Sequence, residues 1–220
     1  MKLSRAEMRR ALRLYAVTDR RWVRENQCFA DIIASVLDGG ATLLQIREKE
    51  LSDADFTDEV RILKPLCAAR GVPCIVNDRI QVALAADADG VHVGQSDLGA
   101  GNIRALIGPD RILGITAKTV AQARAAEAAG ADYIGAGAVF GSATKTDALA
   151  MSLELFREIA ASVRIPVVAI GGISAGNVAR LAGCGADGIA VVSGIFSAED
   201  PGAAAAALFR LSGAVLQLSD

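Results

Sequence analysis

The stretch Gly185-Ala186-Asp187-Gly188-Ile189-Ala190-Val191 decides the fold, because it places a glycine turn directly before a short apolar run. Similar turns precede other apolar runs, at Gly39-Gly40-Ala41, Ala88-Asp89-Gly90 and Gly130-Ala131-Asp132. Glycine in the left-handed conformation ends a helix, and we expect a strand to begin two residues after it. The recurrence predicts a chain built from repeated helix–strand units.

Short apolar runs alternate with longer amphipathic runs along the chain, which is the pattern of strands alternating with helices. The predicted strands are Leu14–Val17, Thr42–Ile46, Cys74–Val76, Gly90–Val93, Ile112–Gly114, Tyr133–Gly135, Val167–Ile170 and Gly188–Val192. The predicted helices are Phe29–Leu37, Asp53–Ala69, Ile80–Ala86, Ile103–Leu106, Val120–Ala129, Leu153–Ser162, Ala175–Leu181 and Ala203–Leu216. Eight such units without a break in composition predict the α/β class and a single (β/α)8 TIM barrel.

One TIM-barrel domain is expected over residues 1–220, with a charged helical segment at residues 1–13. The alternative is an open, doubly wound sheet. That fold commonly carries a Gly-x-Gly-x-x-Gly cofactor fingerprint after its first strand. No such fingerprint follows Val17, so the barrel is favoured.

Composition and charge narrow the function classes. The chain is 52% hydrophobic but only 4% aromatic, so Ala, Val, Ile and Leu must build the core, as in a parallel sheet covered by helices. The net charge of −2 gives no reason to expect a nucleic acid partner. No apolar run reaches the roughly 20 residues that cross a bilayer, and the N-terminus lacks the apolar core of a signal peptide. Four scattered cysteines without a Cys-x-x-Cys pair are typical of reduced thiols in a cytoplasmic protein.

Polar residues follow the C-terminal ends of the predicted strands in the sequence. In a barrel the loops at these ends form one mouth, and the active site lies there. Gln45, Arg47 and Lys49 alternate after a buried-looking run, and alternate residues of a strand share one face. An amide and two cations at a strand end favour a bound anion. The planar fork of arginine and the point charge of lysine both suit phosphate oxygens.

Two carboxylates and three small-residue loops complete the polar set. Asp78 and Asp97 could form an acid–base pair, bind Mg²⁺ or cap the following helices, and the nearby cations favour Mg²⁺ bridging a phosphorylated ligand. Gly171-Gly172-Ile173 and Val192-Ser193-Gly194 follow the last two strands, the loops that often cradle a phosphate in barrels. Gly141-Ser142-Ala143-Thr144-Lys145 also suits an anion. His92, the only histidine, lies within a strand, so a structural role is expected for it.

These residues together resemble the thiamine-phosphate synthase family from about Leu14 to Ala207. The motifs that carry the resemblance are Gln45-x-Arg47-x-Lys49, Asn77-Asp78, Val91-His92-Val93-Gly94-Gln95-x-Asp97, Gly114-Ile115-Thr116, Thr144-Lys145, Ala169-Ile170-Gly171-Gly172-Ile173 and Val192-Ser193. The resemblance implies a transferase that joins a hydroxymethylpyrimidine diphosphate to a thiazole phosphate with release of diphosphate. It also implies small-molecule substrates and a possible homo-oligomer.

The resemblance further implies a role for each matching residue. The pyrimidine diphosphate would be held by Gln45, Ile46, Arg47, Glu48, Lys49, Asn77, Thr116 and Lys145. The thiazole phosphate would be held by Ser142, Ala143, Thr144, Gly172, Val192 and Ser193. Asp78 and Asp97 would bind Mg²⁺ as the cofactor. The expected catalytic residues are Arg47, Lys49, Thr116 and Lys145.

Two departures from the family pattern and two alternatives remain. Gly141-Ser142 stands where the family usually has Pro-Thr, which predicts a looser loop, and Thr116 stands where the family commonly has serine.

One alternative function is that of a thiazole tautomerase of a related barrel group. That group places a catalytic histidine in the loop of strand six, where Gly137-Ala138-Val139-Phe140 has none. The other alternative is a non-catalytic barrel that binds a phosphorylated metabolite.

Overall fold

The computed structural model describes residues 3–95, 102–141 and 150–216. Parallel strands pair in sequence order and β1 also pairs with β8, so the sheet closes into a barrel. The strands are β1 Leu14–Val17, β2 Leu43–Ile46, β3 Cys74–Asn77, β4 Gly90–Val93, β5 Ile112–Ala117, β6 Tyr133–Gly137, β7 Val167–Ile170 and β8 Gly188–Val191. The predicted (β/α)8 barrel is confirmed.

Helices connect the strands and cover the outside of the barrel. The α-helices of the described ranges are α1 Arg5–Leu12, α2 Phe29–Asp38, α3 Asp53–Ala68, α4 Ile80–Ala85, α5 Ile103–Ile107, α6 Val120–Ala128, α7 Leu153–Ala161, α8 Ser193–Phe196 and α9 Pro201–Val215. Short 3₁₀ segments lie at Arg20–Trp22 and Val178–Leu181. Within these ranges no helix combines the length and apolar character that crossing a membrane would require.

Most predicted bounds agree with the structure to within one or two residues, and three differences have physical causes. Strand β5 continues to Ala117 because Thr116 and Ala117 pair with β6, although a polar threonine suggested that the strand had ended. The predicted helix Ala175–Leu181 is wrong in type, because only Val178–Leu181 is helical and it is 3₁₀. Helix α8 was not predicted, because its four residues Ser193–Phe196 are too few to show a helical period.

Three of the four repeated turns contain the predicted left-handed glycine, but the strand begins one residue later than expected, and at the fourth turn Gly90 is already the first residue of β4. Gly40, Gly130 and Gly185 have φ of 100°, 83° and 83°, and each lies three positions before the first residue of a strand. Asp87 takes the same place before β4 with φ 51°. At these turns the left-handed residue ends the helix and turns the chain into the barrel, a conformation that glycine adopts without strain.

The polar residue of each turn caps the preceding strand. Carboxylate oxygens of Asp89, Asp132 and Asp187 accept hydrogen bonds from the first or second amide of β3, β5 and β7, each at 2.8 Å. The Thr42 hydroxyl accepts from Leu14 N of β1 at the same distance. These bonds satisfy amides at the N-terminal end of the barrel, which would otherwise cost free energy in a dry environment. The acidic residues of the turns are therefore structural.

The segment before β1 closes the N-terminal end of the barrel. Helix α1 begins with a capping box between Ser4 and Glu7 and buries Met8 and Leu12 among the apolar side chains of the barrel interior. The interior cluster that receives them contains Tyr15, Val17, Leu43, Ile75, Ile112, Tyr133, Val168 and Ala190. Within the described residues, Arg5–Leu12 is helical, and this helix acts as a plug at the end opposite the mouth.

Candidate active site

A pocket opens at the C-terminal end of the barrel, and every strand or the loop after it contributes to its wall. The lining side chains and backbone belong to Tyr15, Val17, Gln45, Arg47, Asn77, Asp78, His92, Gly94, Thr116, Lys118, Gly135, Gly137, Ala138, Val168, Ile170, Gly171, Gly172, Ile173, Ala190, Val192 and Ser193. Polar residues of β2 to β5 lie on one side, and the glycine-rich loops of β7 and β8 lie on the other. The apolar residues of β1, β7 and β8 form the floor between them.

Strand β2 presents two of its three predicted anchors to this pocket. Leu43 and Gln45 point inward, and Arg47 continues the same face just beyond the strand, so both polar side chains line the mouth. Lys49 is exposed and is not brought to the pocket wall, because the strand ends at Ile46 and its alternation ends there. The interpretation that all three side chains share one face therefore holds for Gln45 and Arg47 alone.

The intervening residues of this strand face the helices instead of the pocket. Ile46 packs in the core between the sheet and the helices. Glu48 is buried and pairs with Arg20 Nε at 3.1 Å. Burial raises the pKa of the Glu48 carboxyl above its ordinary value, although the Arg20 guanidinium opposes this. The side chains of Ile46 and Glu48 thus lie on the outer face of the barrel and do not reach the cavity.

Arg47 is held in place by the loop after β1. Its side chain is only 8% exposed, and its backbone amide donates to the Thr18 hydroxyl at 2.9 Å. The guanidinium lies 3.9 Å from an oxygen of Asp19. Burial raises the pKa of Asp19, but the hydrogen bonds from Arg21 and the charges of Arg21 and Arg47 together outweigh it and leave the pKa below its ordinary value. The structure therefore presents a buried cation whose neighbouring carboxylate stays ionised.

Asn77 and Asp78 stand at the end of β3, on the same side of the mouth as Arg47. Asp78 has a left-handed backbone with φ 60°, and its amide donates to the His92 carbonyl at 2.8 Å. A non-glycine residue in this conformation is uncommon and is found most often as Asn or Asp. The turn fixes an exposed carboxylate at the rim of the pocket, where the sequence predicted a ligand for Mg²⁺.

Thr116 is anchored by the neighbouring strand. His92 Nε2 lies 2.9 Å from the Thr116 hydroxyl, and His92 Nδ1 lies 2.9 Å from the Tyr133 hydroxyl. The Gln95 amide donates to the Thr116 carbonyl at 2.5 Å. His92 lines the pocket as well, so it combines the expected structural role with a place in the site.

The loops after β7 and β8 face the cations across the pocket. Gly171 and Gly172 have φ of 102° and 64°, and a Cβ at Gly172 would clash with the Phe140 carbonyl. Only glycine fits such a position without strain. Val192 and Ser193 line the same side, directly before α8. The predicted residues of these two loops are therefore brought together.

Several predicted site residues lie outside the described ranges. They are Asp97, Ser142, Ala143, Thr144 and Lys145. In the described part of the chain, no group of three or more His, Cys, Asp or Glu side chains could hold a metal ion. Mg²⁺, however, is commonly bound through one or two carboxylates with the rest of its shell from phosphate and water. The hard oxygens of Asp78 beside a cationic pocket fit that donor set.

Lys118 and Tyr15 are among the lining residues that were not predicted from the sequence. Lys118 follows Thr116 by two positions and adds a second cation to the described wall, so the alternation that indicated Gln45 and Arg47 could have revealed it. Tyr15 lies in the apolar strand β1, which gives no sequence signal of a binding site. Its ring does lie in the barrel interior, and its hydroxyl accepts a hydrogen bond from the Gln45 amide.

Comparison with known proteins identifies the family. The family described as "Thiamine monophosphate synthase" matches residues 14–195. A thiamine-phosphate synthase from Desulfitobacterium hafniense is 49% identical over 199 residues, which are 90% of this chain and 96% of that protein. A thiamine-phosphate synthase from Clostridium acetobutylicum is 46% identical over 187 residues, which are 85% of this chain and 88% of that protein.

Solved structures agree. The structure of thiamine phosphate pyrophosphorylase from Pyrococcus furiosus shares 39% identity and a TM-score of 0.86, over 95% of this chain and 99% of that one. The (S)-3-O-geranylgeranylglyceryl phosphate synthase from Thermoplasma acidophilum shares 14% identity and a TM-score of 0.71, over 98% and 100% of the two chains, and shows the fold alone. The resemblance predicted from the motifs is confirmed: this chain belongs to the thiamine monophosphate synthase family, a family of transferases.

Proposed function

We propose that this chain condenses 4-amino-2-methyl-5-(diphosphooxymethyl)pyrimidine with thiazole phosphate to give thiamine phosphate and diphosphate. The observation that carries the proposal is the division of one pocket into two sides. Arg47, Asn77 and Asp78 lie on one side, and the glycine-rich loops of β7 and β8 lie on the other. Two phosphorylated substrates could therefore bind with their rings facing each other over an apolar floor.

The pyrimidine diphosphate is assigned to the side formed by β2 to β5. The guanidinium of Arg47 suits two phosphate oxygens at once, and the amides of Gln45 and Asn77 offer donors and acceptors to a ring or a phosphate. Asp78, with Asp97 as its predicted partner, would hold Mg²⁺, and the ion when bound would neutralise negative charge on a diphosphate. Lys49 and Lys145 remain predicted contributors of positive charge.

The thiazole phosphate is assigned to the opposite side. Backbone amides of Gly172, Val192 and Ser193 can approach phosphate oxygens closely because glycine leaves the loop of β7 without a side chain. Ser142, Ala143 and Thr144 are predicted to complete this subsite. Such loops are a frequent phosphate site in barrels of this fold.

The reaction needs stabilisation of charge more than proton transfer. The bond between the pyrimidine methylene carbon and its oxygen breaks, and the electron pair leaves with diphosphate. The thiazole nitrogen then supplies the pair for the new carbon–nitrogen bond. Arg47 stabilises the negative charge that develops on the leaving group, as a preorganised donor in a poorly hydrated site. The pocket holds the two rings together, which lowers the entropic part of the barrier.

A product assay tests the proposal and both alternatives together. Wild-type protein, the two substrates and Mg²⁺ should yield thiamine phosphate and diphosphate in equal amounts. Conversion of the thiazole phosphate into an isomer without coupling would support a thiazole tautomerase. Saturable binding of either substrate without any product would support a non-catalytic barrel. Either of these outcomes contradicts the proposed synthase activity.

We also place the protein in the cytoplasm. The four cysteines are unpaired thiols, and Cys67, Cys74 and Cys184 are buried. Unpaired buried thiols are typical of proteins in a reducing compartment. The homo-oligomer that the family resemblance implies remains a prediction.

A further inference from the structure

We propose that a chain of hydrogen bonds through the barrel interior positions two substrate-contacting residues as one unit, with Tyr133 as its buried positioning residue. The interior chain consists of Gln45, Tyr15, Tyr133, His92 and Thr116. Its two ends, Gln45 and Thr116, line the pocket on the side assigned to the pyrimidine. The inference deepens the proposed function and rests on it.

Each link of the interior chain is a close polar contact. The Gln45 amide donates to the Tyr15 hydroxyl, and the hydroxyls of Tyr15 and Tyr133 lie 2.9 Å apart. Tyr133 meets His92 Nδ1 at 2.9 Å, and His92 Nε2 meets the Thr116 hydroxyl at 2.9 Å. The five residues come from β1, β2, β4, β5 and β6, so the interior chain spans the barrel from wall to wall.

Burial keeps the two phenols neutral and makes the interior chain directional. Tyr15 and Tyr133 are 1% and 0% exposed, and burial raises the pKa of both hydroxyls well above the ordinary value. Each phenol therefore has one proton to donate. If Gln45 donates to Tyr15 and each buried hydroxyl proton has an acceptor within the interior chain, then Tyr15 donates to Tyr133 and Tyr133 donates to His92 Nδ1. His92 Nε2 then carries the other proton and donates to Thr116.

The direction decides what Thr116 offers to a ligand. When its oxygen accepts from His92, the hydroxyl keeps its own proton for an acceptor in the pocket. If the Gln45 amide turned over and accepted from Tyr15, every bond would reverse and Thr116 would donate to His92 instead. The two ends of the interior chain are thus linked, as expected for a buried network whose members are all satisfied. An aminopyrimidine carries an amino donor beside ring-nitrogen acceptors. Because the orientations of Gln45 and Thr116 are linked, the two residues can select a ring with this arrangement of donors and acceptors.

The neighbouring strands leave room for this arrangement. A Cβ at Gly114 would clash with the Tyr133 ring and with His92 Nδ1, and a Cβ at Gly135 would come within 3.0 Å of His92 Cε1. Barrel interiors are usually filled by branched apolar side chains. Here two glycines replace such side chains where the polar rings lie, and buried polar groups cost free energy unless they are paired. We therefore infer that the polar rings of Tyr133 and His92 do more than fill the barrel interior.

Tyr133 allows a clean test because it is not among the residues that line the pocket. Tyr133→Phe removes one oxygen from the middle of the interior chain and leaves both ends in place. We expect the KM for the pyrimidine diphosphate to rise about tenfold, since a broken buried hydrogen bond frees both ends to reorient. The KM for the thiazole phosphate should change less than twofold. Equal effects on both substrates, or no effect on either, would overturn the proposal.

Ser212→Ala is the matched control. It removes a fully buried hydroxyl that donates to the Phe209 carbonyl at 2.9 Å within α9. It should lower Tm and leave both KM values unchanged. If Tyr133→Phe does not fold, Tyr15→Phe breaks the interior chain one link earlier and should give the same split between the two KM values.

A double-mutant cycle separates a linked unit from two independent contacts. Thr116→Val removes the hydroxyl at the end of the interior chain while keeping the shape of the side chain. If the interior chain acts as one unit, adding Tyr133→Phe to Thr116→Val should change the KM for the pyrimidine diphosphate by less than twofold. Multiplication of the two single effects would overturn the proposal. Absence of thiamine phosphate from the wild type would instead contradict the proposed function.

Discussion

Arg47→Ala should lower kcat for thiamine phosphate formation by about 10²–10³-fold, the effect of losing one preorganised donor to a developing negative charge. Arg47 is 8% exposed and lines the pocket, so water cannot fully replace its charge. Asp19 keeps Arg21 as a partner when Arg47 is removed, and the fold should therefore tolerate the change. Steady-state rates with both substrates saturating measure the effect.

Two companion variants sharpen this test. Arg47→Lys keeps the charge but loses the planar fork, so it should recover only part of the rate if two phosphate oxygens are bound. Arg70→Ala removes an arginine that pairs with Asp38 at 2.7 Å, at the end of the barrel opposite the mouth. Its rate should equal that of the wild type. A kcat for Arg47→Ala within a factor of two of wild type would remove Arg47 from the catalytic site.

Asp78→Asn should raise the Mg²⁺ concentration for half-maximal rate by about tenfold or more, the scale seen when a metal site loses a supporting group. Asparagine is the appropriate replacement because Asp78 has φ 60°, a conformation that asparagine tolerates and alanine does not. The change therefore removes a charge without straining the turn. The Mg²⁺ dependence of kcat/KM for the pyrimidine diphosphate is the measurement.

Asp87→Asn is the matched control for this experiment. Asp87 is the other described aspartate with positive φ, at 51°, and it pairs with Lys64 and Arg111 before β4. These ion pairs are largely exposed and contribute little. Its Mg²⁺ titration should match that of the wild type. A curve for Asp78→Asn that also matches would exclude Asp78 from the metal site.

The barrel could be predicted from the sequence because each unit repeats the same physical signals. A left-handed residue ends the helix, a short apolar run follows, and the next amphipathic run begins after a polar residue. The end of β5 escaped prediction because Thr116 is polar although it pairs with β6. The four-residue helix α8 escaped because its formation depends on tertiary contacts of Ile195 and Phe196, which are buried, and not on a local period.

The site was predictable where the period of two along a strand continues into the loop. Gln45, Arg47 and Asn77 reach the pocket for that reason. The rule fails at Lys49, because the chain has left the pleat after Ile46. The same alternation continues from Thr116 to Lys118, which also lines the pocket. The sequence could not show whether Tyr15 belongs to the site. A tyrosine in an apolar strand gives the same sequence pattern whether it only fills the core or its hydroxyl is hydrogen-bonded to an amide that binds a ligand.

We expect a diphosphate to be held at the barrel mouth by Mg²⁺ together with fixed cations. Calorimetric titration of the pyrimidine diphosphate into the wild-type protein, with Mg²⁺ and with a chelator, tests it most directly. We expect one site per polypeptide, whose affinity for the pyrimidine diphosphate falls at least tenfold when Mg²⁺ is removed and again when Arg47 is replaced. Equal affinity with and without Mg²⁺ would contradict it.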